Sequence, residues 1–362
     1  MGFVLTGIVF ILVFGVLILV HEWGHFYAAR RAGIKVEEFG FGLPPRAWGI
    51  KKGETIYSLN WIPFGGFVRL YGEDSYDPKL LHDERSFVSK NVWQRTKVIV
   101  AGVVMNFILA ILLLTIGFSV GMVPFPGSPE FADAVTVEAV VVNRVLPAGA
   151  AEGFLKAEDK ILKIEGREID SVTAVINTTS AHPGETLNFL VQRAGEEVNI
   201  ALTPSAEGKV GIEISEEIDA RPVRYWPHQA FVVAVRETWR LSSFTLQALG
   251  DFVKQIVYRG SIPQNVAGPV GIVEMTHSLV QLGGIIPLLK FTALLSISLG
   301  VINIMPFPAL DGGRFLFIIV ELLRRKRANA KIESAIHMLG FALLILLLVA
   351  ITWNDIVRLV AS

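Results

Sequence analysis

The sequence GFVLTGIVFILVFGVLILVHEWGH occupies residues 2–25. Residues 2–20 include one polar side chain, Thr6, and two histidines and a glutamate follow at once. A helix needs about 20 apolar residues to cross a bilayer core of about 30 Å, so residues 1–29 are predicted to form a membrane-spanning helix. A cleaved signal peptide is the alternative, but it would need basic residues before a shorter apolar core, and none precede this one.

The composition also indicates a membrane protein. Of the 362 residues, 52% are apolar and 18% are charged, whereas soluble proteins carry about 25% charged residues. The 33 basic and 33 acidic residues balance, so no nucleic-acid partner is predicted. The chain has no cysteine. Any metal ion must therefore be held by His, Asp or Glu.

Three further apolar segments are long enough to cross a bilayer, and two prolines interrupt one of them. The predicted fold class is a polytopic α-helical membrane protein with four transmembrane helices, a membrane-associated β-hairpin region and an inserted α+β domain. The predicted divisions are the first span at 1–29, a cytoplasmic loop with the hairpin at 30–97, the second span at 98–125, the inserted domain at 126–220, an amphipathic helix with its connecting loop at 221–284, the third span at 285–323, a basic loop at 324–335 and the fourth span at 336–357.

The orientation of the spans follows from their basic neighbours. Arg30, Arg31 and Lys35 follow the first span, and four consecutive basic residues occupy 324–327. The positive-inside rule puts both of these loops in the cytoplasm. Both termini and the inserted domain are then predicted on the periplasmic or extracytoplasmic side.

The loop at 30–97 contains two predicted strands. Residues 54–59 and 66–70 have strand-forming composition, and Gly53, Pro63 and Gly65 are predicted to break the chain between them. The glycine-rich residues 39–43 fit either a hairpin that dips toward the bilayer or a peripheral loop.

The inserted domain has a mixed pattern. Residues 137–145 predict a strand, 171–181 a helix, and 187–192 with 198–203 a hairpin. Through its segments 146–151 and 159–169 the domain resembles a PDZ domain. PDZ domains bind extended peptides by strand addition, so the resemblance implies a periplasmic peptide ligand.

Residues 228–259 predict a long helix that is too charged to span a membrane. Its apolar residues are predicted to lie along the outer membrane face, with packing on the PDZ-like domain as the alternative. They form an approximate stripe at Val232, Val235, Trp239, Leu246, Leu249, Val253 and Ile256.

Residues 21–25 form an H-E-x-x-H motif. On a helix His21 and His25 are neighbours on one face, so both imidazoles reach one zinc ion, and the Glu22 carboxylate lies beside it to take a proton from water. Ionisable residues inside a membrane helix are functional by default.

Catalytic zinc usually has three protein ligands and a water. Asp311 directly follows the uncharged run 291–310, where Pro306 and Pro308 unwind the helix. Asp311 is therefore either the third ligand or an N-cap of the next helix, and the motif at 21–25 favours ligation.

Two asparagines lie inside apolar segments. A substrate contact is predicted for Asn303, and a packing role between helices for Asn106. His337 is predicted to be solvated.

Together these segments resemble the bacterial site-2 protease family of intramembrane zinc metalloproteases. The resemblance rests on HEWGH at 21–25 and on NIMPFPALDG at 303–312, which fits N-x-x-P-x-P-x-x-D-G. AGVVMN at 101–106, PFGGFV at 63–68 and GPVGI at 268–272 also look like family elements.

The resemblance implies Zn²⁺ as cofactor, His21, His25 and Asp311 as its ligands, Glu22 as the catalytic carboxylate and Asn303 as a substrate contact. It also implies that the glycine-rich hairpin presents an edge to the substrate, and that the active site lies near the cytoplasmic side of a bacterial inner membrane. The function expected is hydrolysis of peptide bonds within transmembrane segments of single-pass proteins, such as anti-sigma factors or signal-peptide remnants, in regulated intramembrane proteolysis. The expected partners are those substrates and the lipid bilayer.

Two other classes of protein fit parts of the sequence. One is a membrane receptor whose inserted domain binds peptides, and the other is a transporter with an intramembrane ion site. Anchoring alone does not explain ionisable residues in separate spans. A transporter would normally show internal repeats, and the sequence shows none.

Overall fold

A computed structural model describes residues 2–73, 78–147, 149–260, 266–326 and 330–361. Ala148 and Arg327, which contribute to the sequence patterns above, lie outside these ranges. The chain divides into two compact units, residues 1–122 with 224–362 and residues 123–223. The described helices are α1 Gly2–Arg31, α2 Val92–Val120, α3 Val172–Ala181, α4 Pro227–Arg259, α5 Pro269–Leu282, α6 Ile285–Ile304, α7 Asp311–Arg324 and α8 Ala330–Ala361. The described strands are β1 Val36–Lys52, β2 Thr55–Leu70, β3 Val135–Val145, β4 Lys160–Ile164, β5 Arg167–Glu168, β6 Leu187–Arg193, β7 Glu196–Leu202 and β8 Ile212–Ala220.

Four of the described helices are long and apolar enough to cross a membrane, namely α1, α2, α6 and the part of α8 at Lys331–Val357. These four helices agree with the predicted number of spans, while the predicted bounds of the spans stay predictions. The predicted interruption of the third span is also present, because α6 ends at Ile304 and α7 starts at Asp311. The two prolines fall in the turn between these helices, where the missing N–H groups break no helical hydrogen bond.

Helix α2 is the centre of the larger unit and packs against α1, α4, α6 and α7. Its closest approach is to α1 at Gly24. A Cβ atom on Gly24 would lie 2.9 Å from the Cα of Gly102 and closer still to the Ala101 carbonyl oxygen. Because Gly24 and Gly102 carry no side chains, the motif at 21–25 lies directly against the α2 backbone.

The loop after α1 forms a longer hairpin than predicted. Strands β1 and β2 pair through a turn at Gly53, whose φ is +64°, and β2 continues through Pro63 and Gly65 with shifts in register. The prediction that these two residues end the strand was wrong, because an irregular sheet accommodates them at its bulges. Residues 38–41 of β1 have partners on both sides, in 56–59 and in 66–69.

The hairpin lies along the apolar part of α1. A Cβ atom on Gly15 would be 3.4 Å from the Phe41 ring, and one on Gly66 would be 2.7 Å from Ile18. Phe26 also packs edge-on against Phe39. These contacts favour the predicted hairpin at membrane depth over a peripheral loop.

The smaller unit contains an antiparallel sheet of order β7-β6-β4-β3-β8, with β5 paired to β4. The predicted strand at 137–145, the helix, which Ser171 caps, and the hairpin through Gly195 are confirmed. Strand β8 was not predicted from the sequence. One face of the sheet forms a core with Val175 of α3, and its fully buried members include Val140, Ile161 and Phe189.

The predicted long helix is α4, and its apolar stripe is mostly exposed, in agreement with its predicted position along the membrane face. Ala230, Ala234 and Leu241 are buried where α4 packs against α2 and α6. Trp239, by contrast, is 77% exposed and Val253 is 50% exposed. The helix therefore packs through small residues and leaves its apolar stripe on the outside.

Candidate metal centre

The three predicted ligands converge on one point. His21 and His25 lie one turn apart on α1, and their Nε2 atoms are 3.2 Å apart. Asp311, the first residue of α7, places Oδ2 at 3.1 Å from the Nε2 of His21 and at 3.2 Å from that of His25. Among the described residues, this is the group of His and acidic side chains whose spacing suits a metal ion.

The spacing of these atoms fits zinc. Ligand distances of about 2.0–2.2 Å in a tetrahedral site require neighbouring ligand atoms about 3.3–3.5 Å apart, close to the distances observed. Oδ2 of Asp311 is also buried without a hydrogen-bond partner. A carboxylate oxygen in that position is costly unless a cation pairs with it.

Helix α2 provides a partner for the Nδ1 atom of each histidine ring. Nδ1 of His25 donates to the carbonyl oxygen of Val98 at 2.8 Å, and Nδ1 of His21 lies 3.1 Å from the side-chain amide of Asn106. Such bonds fix the ring orientation and leave Nε2 for the metal. The predicted packing role of Asn106 between helices fits this contact, which joins α2 to α1, and the partner ring belongs to a predicted ligand.

A compact turn positions Asp311. Ala309 has φ +78°, and its N–H donates to Nδ1 of His337 at 2.9 Å. His337, predicted to be solvated, is instead a partner of this turn. The N-cap of α7 is Leu310, so the structure does not support the alternative in which Asp311 is that N-cap.

Glu22 faces a cavity of about 380 Å³ together with the three predicted ligands. Residues 66–70 of β2 and Arg314 form much of the remaining wall, and Arg314 pairs with Glu73. A Cβ atom on Gly66 would be 3.1 Å from the Glu22 side chain. The strand therefore passes close to the carboxylate.

Asn303 lies one residue before the end of α6 and is half-buried. It is not among the described residues that line the cavity. Its predicted contact with substrate stays a prediction.

The sequence matches the model of peptidase family M50 over residues 9–347, so the chain belongs to this family. It is a zinc metalloendopeptidase of the site-2 protease type and a bacterial membrane protein, with Zn²⁺ as its cofactor. These findings confirm the family, the activity and the cofactor predicted from the motifs.

Several relatives match the chain over nearly its full length. Zinc metalloprotease RasP of Geobacillus kaustophilus is 32% identical over 96% of both chains. Regulator of sigma-W protease RasP of Bacillus subtilis is 32% identical over 99% of both. Putative zinc metalloprotease CPE1693 of Clostridium perfringens is 34% identical over 96% of this chain and 97% of the relative.

One solved structure, the PDZ domain of an SdrC-like protein from Listeria innocua, covers 22% of this chain and 94% of its own. It is 24% identical, with a TM-score of 0.20. At that TM-score the PDZ-like character of residues 126–220 stays a prediction.

Proposed function

We propose that this chain cleaves transmembrane segments of single-pass membrane proteins, with His21, His25 and Asp311 as the zinc ligands and Glu22 as the catalytic carboxylate. The convergence of the three ligand atoms within hydrogen-bond distance of one another carries the proposal. Bound there, zinc supplies a Lewis acid that acidifies water and polarises a carbonyl group.

Glu22 moves the protons in this proposal. Its carboxylate lies on the cavity wall beside the ligands, where it takes a proton from the attacking water and delivers it to the leaving amine. Cavity-lining Arg314 adds positive charge beside it.

The hairpin presents the substrate to these groups. Residues 66–69 pair with β1 on one side, and they line the cavity. An unwound substrate strand that pairs along residues 66–70 therefore passes Glu22 with its carbonyl groups released from helical hydrogen bonds. In this arrangement Asn303 contacts the substrate beyond the cavity.

The name of one relative supports the proposed substrate class. The protein of Bacillus subtilis is named regulator of sigma-W protease RasP. Anti-sigma factors and signal-peptide remnants, both short single-pass chains, are the substrates we propose here.

The proposed arrangement in the membrane keeps the predicted divisions and the positive-inside orientation. Residues 30–97 and 324–335 then face the cytoplasm, with the metal centre near that side. Both termini and the PDZ-like domain at 126–220 lie outside, where that domain binds a peptide. The exposed stripe of α4 suits the outer membrane face.

The test is the variant Glu22→Gln in detergent-purified protein. It keeps the three ligands, so about one zinc per chain is expected by metal analysis, while cleavage of a model transmembrane substrate is lost. His21→Ala should lose both zinc and cleavage. Undiminished cleavage by Glu22→Gln, or a wild-type protein that binds no zinc, would contradict the proposed function.

A further inference from the structure

One face of α2 contacts both histidines of the proposed metal centre. Val98, Gly102 and Asn106 recur every four residues and so share a face of the helix. Val98 offers its carbonyl oxygen to His25, Gly102 leaves room for both rings, and Asn106 reaches His21. Both rings therefore depend on this one helix.

Asn106 is the polar side chain of this face. It is fully buried, and its Oδ1 atom has no hydrogen-bond partner. Its main-chain carbonyl accepts a hydrogen bond from the hydroxyl of Ser296 on α6 at 2.7 Å, which ties this position to α6. A buried amide with an unused oxygen beside a histidine ring is an expensive arrangement unless that oxygen is needed.

The chemistry of a metal-binding histidine explains why the oxygen of Asn106 is needed. An imidazole that ligates through Nε2 is neutral and carries its proton on Nδ1, so Nδ1 becomes a donor and requires an acceptor. In the structure the amide nitrogen Nδ2 of Asn106 lies 3.1 Å from the Nδ1 atom of His21, so the amide must rotate by half a turn for its oxygen to face a proton on Nδ1. The two ends of an amide have nearly the same shape, and only the oxygen end accepts from Nδ1–H.

We infer that Asn106 is a positioning residue of the metal centre: its side-chain oxygen accepts the Nδ1 proton of His21 and holds that ring in the orientation that ligates zinc. The inference rests on the proposed function, because it assumes that His21 is a ligand. Asn106 touches neither metal nor substrate and acts through the ring.

Three variants of the full-length protein separate this role from helix packing. Asn106→Leu keeps the branching at Cγ with a larger side chain and removes the acceptor, Asn106→Ala removes both the acceptor and the volume, and Asn106→Asp restores an oxygen. Thr115→Val is the matched control, since Thr115 lies on the same helix and its hydroxyl donates to the carbonyl oxygen of Ile111 one turn earlier. Each protein is purified in detergent, checked for folding by circular dichroism and gel filtration, and titrated with zinc against a competing chelator.

The dissociation constant for zinc should rise about 10–100-fold in Asn106→Leu and Asn106→Ala. It should stay near the wild-type value in Asn106→Asp and in Thr115→Val. The visible spectrum of the Co²⁺-loaded protein should change in the Leu and Ala variants only, because it reports ligand geometry.

Equal zinc affinity in all the variants would overturn the inference, and so would equal weakening in Leu, Ala and Asp, which would mean that the residue only packs. If wild-type protein binds zinc, these outcomes leave the proposed function standing. If wild-type protein binds none, the proposed function fails and this inference fails with it.

Discussion

A methyl group added to Gly102 tests the geometry of the metal centre without altering any proposed ligand. In Gly102→Ala the new Cβ atom would lie 2.8 Å from Cε1 of each histidine ring, where ordinary contact begins at 3.4 Å. Nε2 of His25 would lie closer still, so the His21 ring must retreat by about 0.6 Å and the His25 ring by more, whereas a metal site tolerates about 0.2 Å in its ligand distances. Zinc affinity should therefore fall by about 100-fold, the upper end of what the loss of a ligand's supporting partner costs.

The loss should not come from a weaker fold. Alanine is about 0.5–1 kcal/mol more favourable than glycine in a helix interior, so the metal-free variant should unfold at a temperature close to that of the metal-free wild type. The stabilisation by added zinc should instead shrink, by about 2.7 kcal/mol for a 100-fold loss of affinity.

The assay measures zinc affinity by chelator competition, thermal unfolding with and without zinc, and cleavage of a model transmembrane substrate. Gly7→Ala is the control, because a Cβ atom on Gly7 of α1 meets nothing within 4 Å. If Gly102→Ala binds zinc and cleaves substrate as the wild type does, position 102 need not lack a side chain for the two histidines to bind zinc, and the reasoning is refuted.

Two further outcomes are expected. Asn303→Ala should lower kcat/KM for a transmembrane substrate by about 10-fold or more while the zinc content stays unchanged, and a loss of zinc instead would contradict a substrate role. In the smaller unit, burial raises the pKa of Asp159, but hydrogen bonds from Arg193 and from the Lys156 N–H outweigh it and hold that pKa below its usual range. The stability that this carboxylate contributes is present above its unfolded pKa of about 3.9 and is lost as the pH falls through the lower folded value. Because Asp159→Asn lacks this contribution, pepsin should cut residues 123–223 of the variant at a higher pH than in the wild type. Identical pH profiles of cleavage would contradict this.

The metal centre could be predicted from the sequence because its constraints are local or compositional. The four-residue spacing of His21 and His25 fixes their common face, and the absence of cysteine limits the third ligand to His, Asp or Glu. The partners of the ligands were not predictable in the same way. Asn106 lies in an apolar span, where a polar side chain serves packing and positioning equally well, and its contact with His21 is visible only once α1 is seen to approach α2 at Gly24.

The face through which α4 packs on other helices was not predicted, for a different physical reason. In water an apolar stripe identifies the face that a helix buries, but the stripe containing Trp239 and Val253 was predicted to lie along the outer membrane face, and both residues are exposed. Beside lipid that rule loses its force, because the hydrocarbon around a helix is as apolar as its neighbours, and close packing selects small residues instead. Ala230 and Ala234 are fully buried where α4 packs against α2 and α6, while Trp239 is mostly exposed. The same preference for small residues brings Gly24 against α2 and leaves Gly102 bare beneath the two histidines. On α4, and where α1 meets α2 at Gly24, small residues therefore mark packed positions, whereas the large apolar residues of the α4 stripe are exposed.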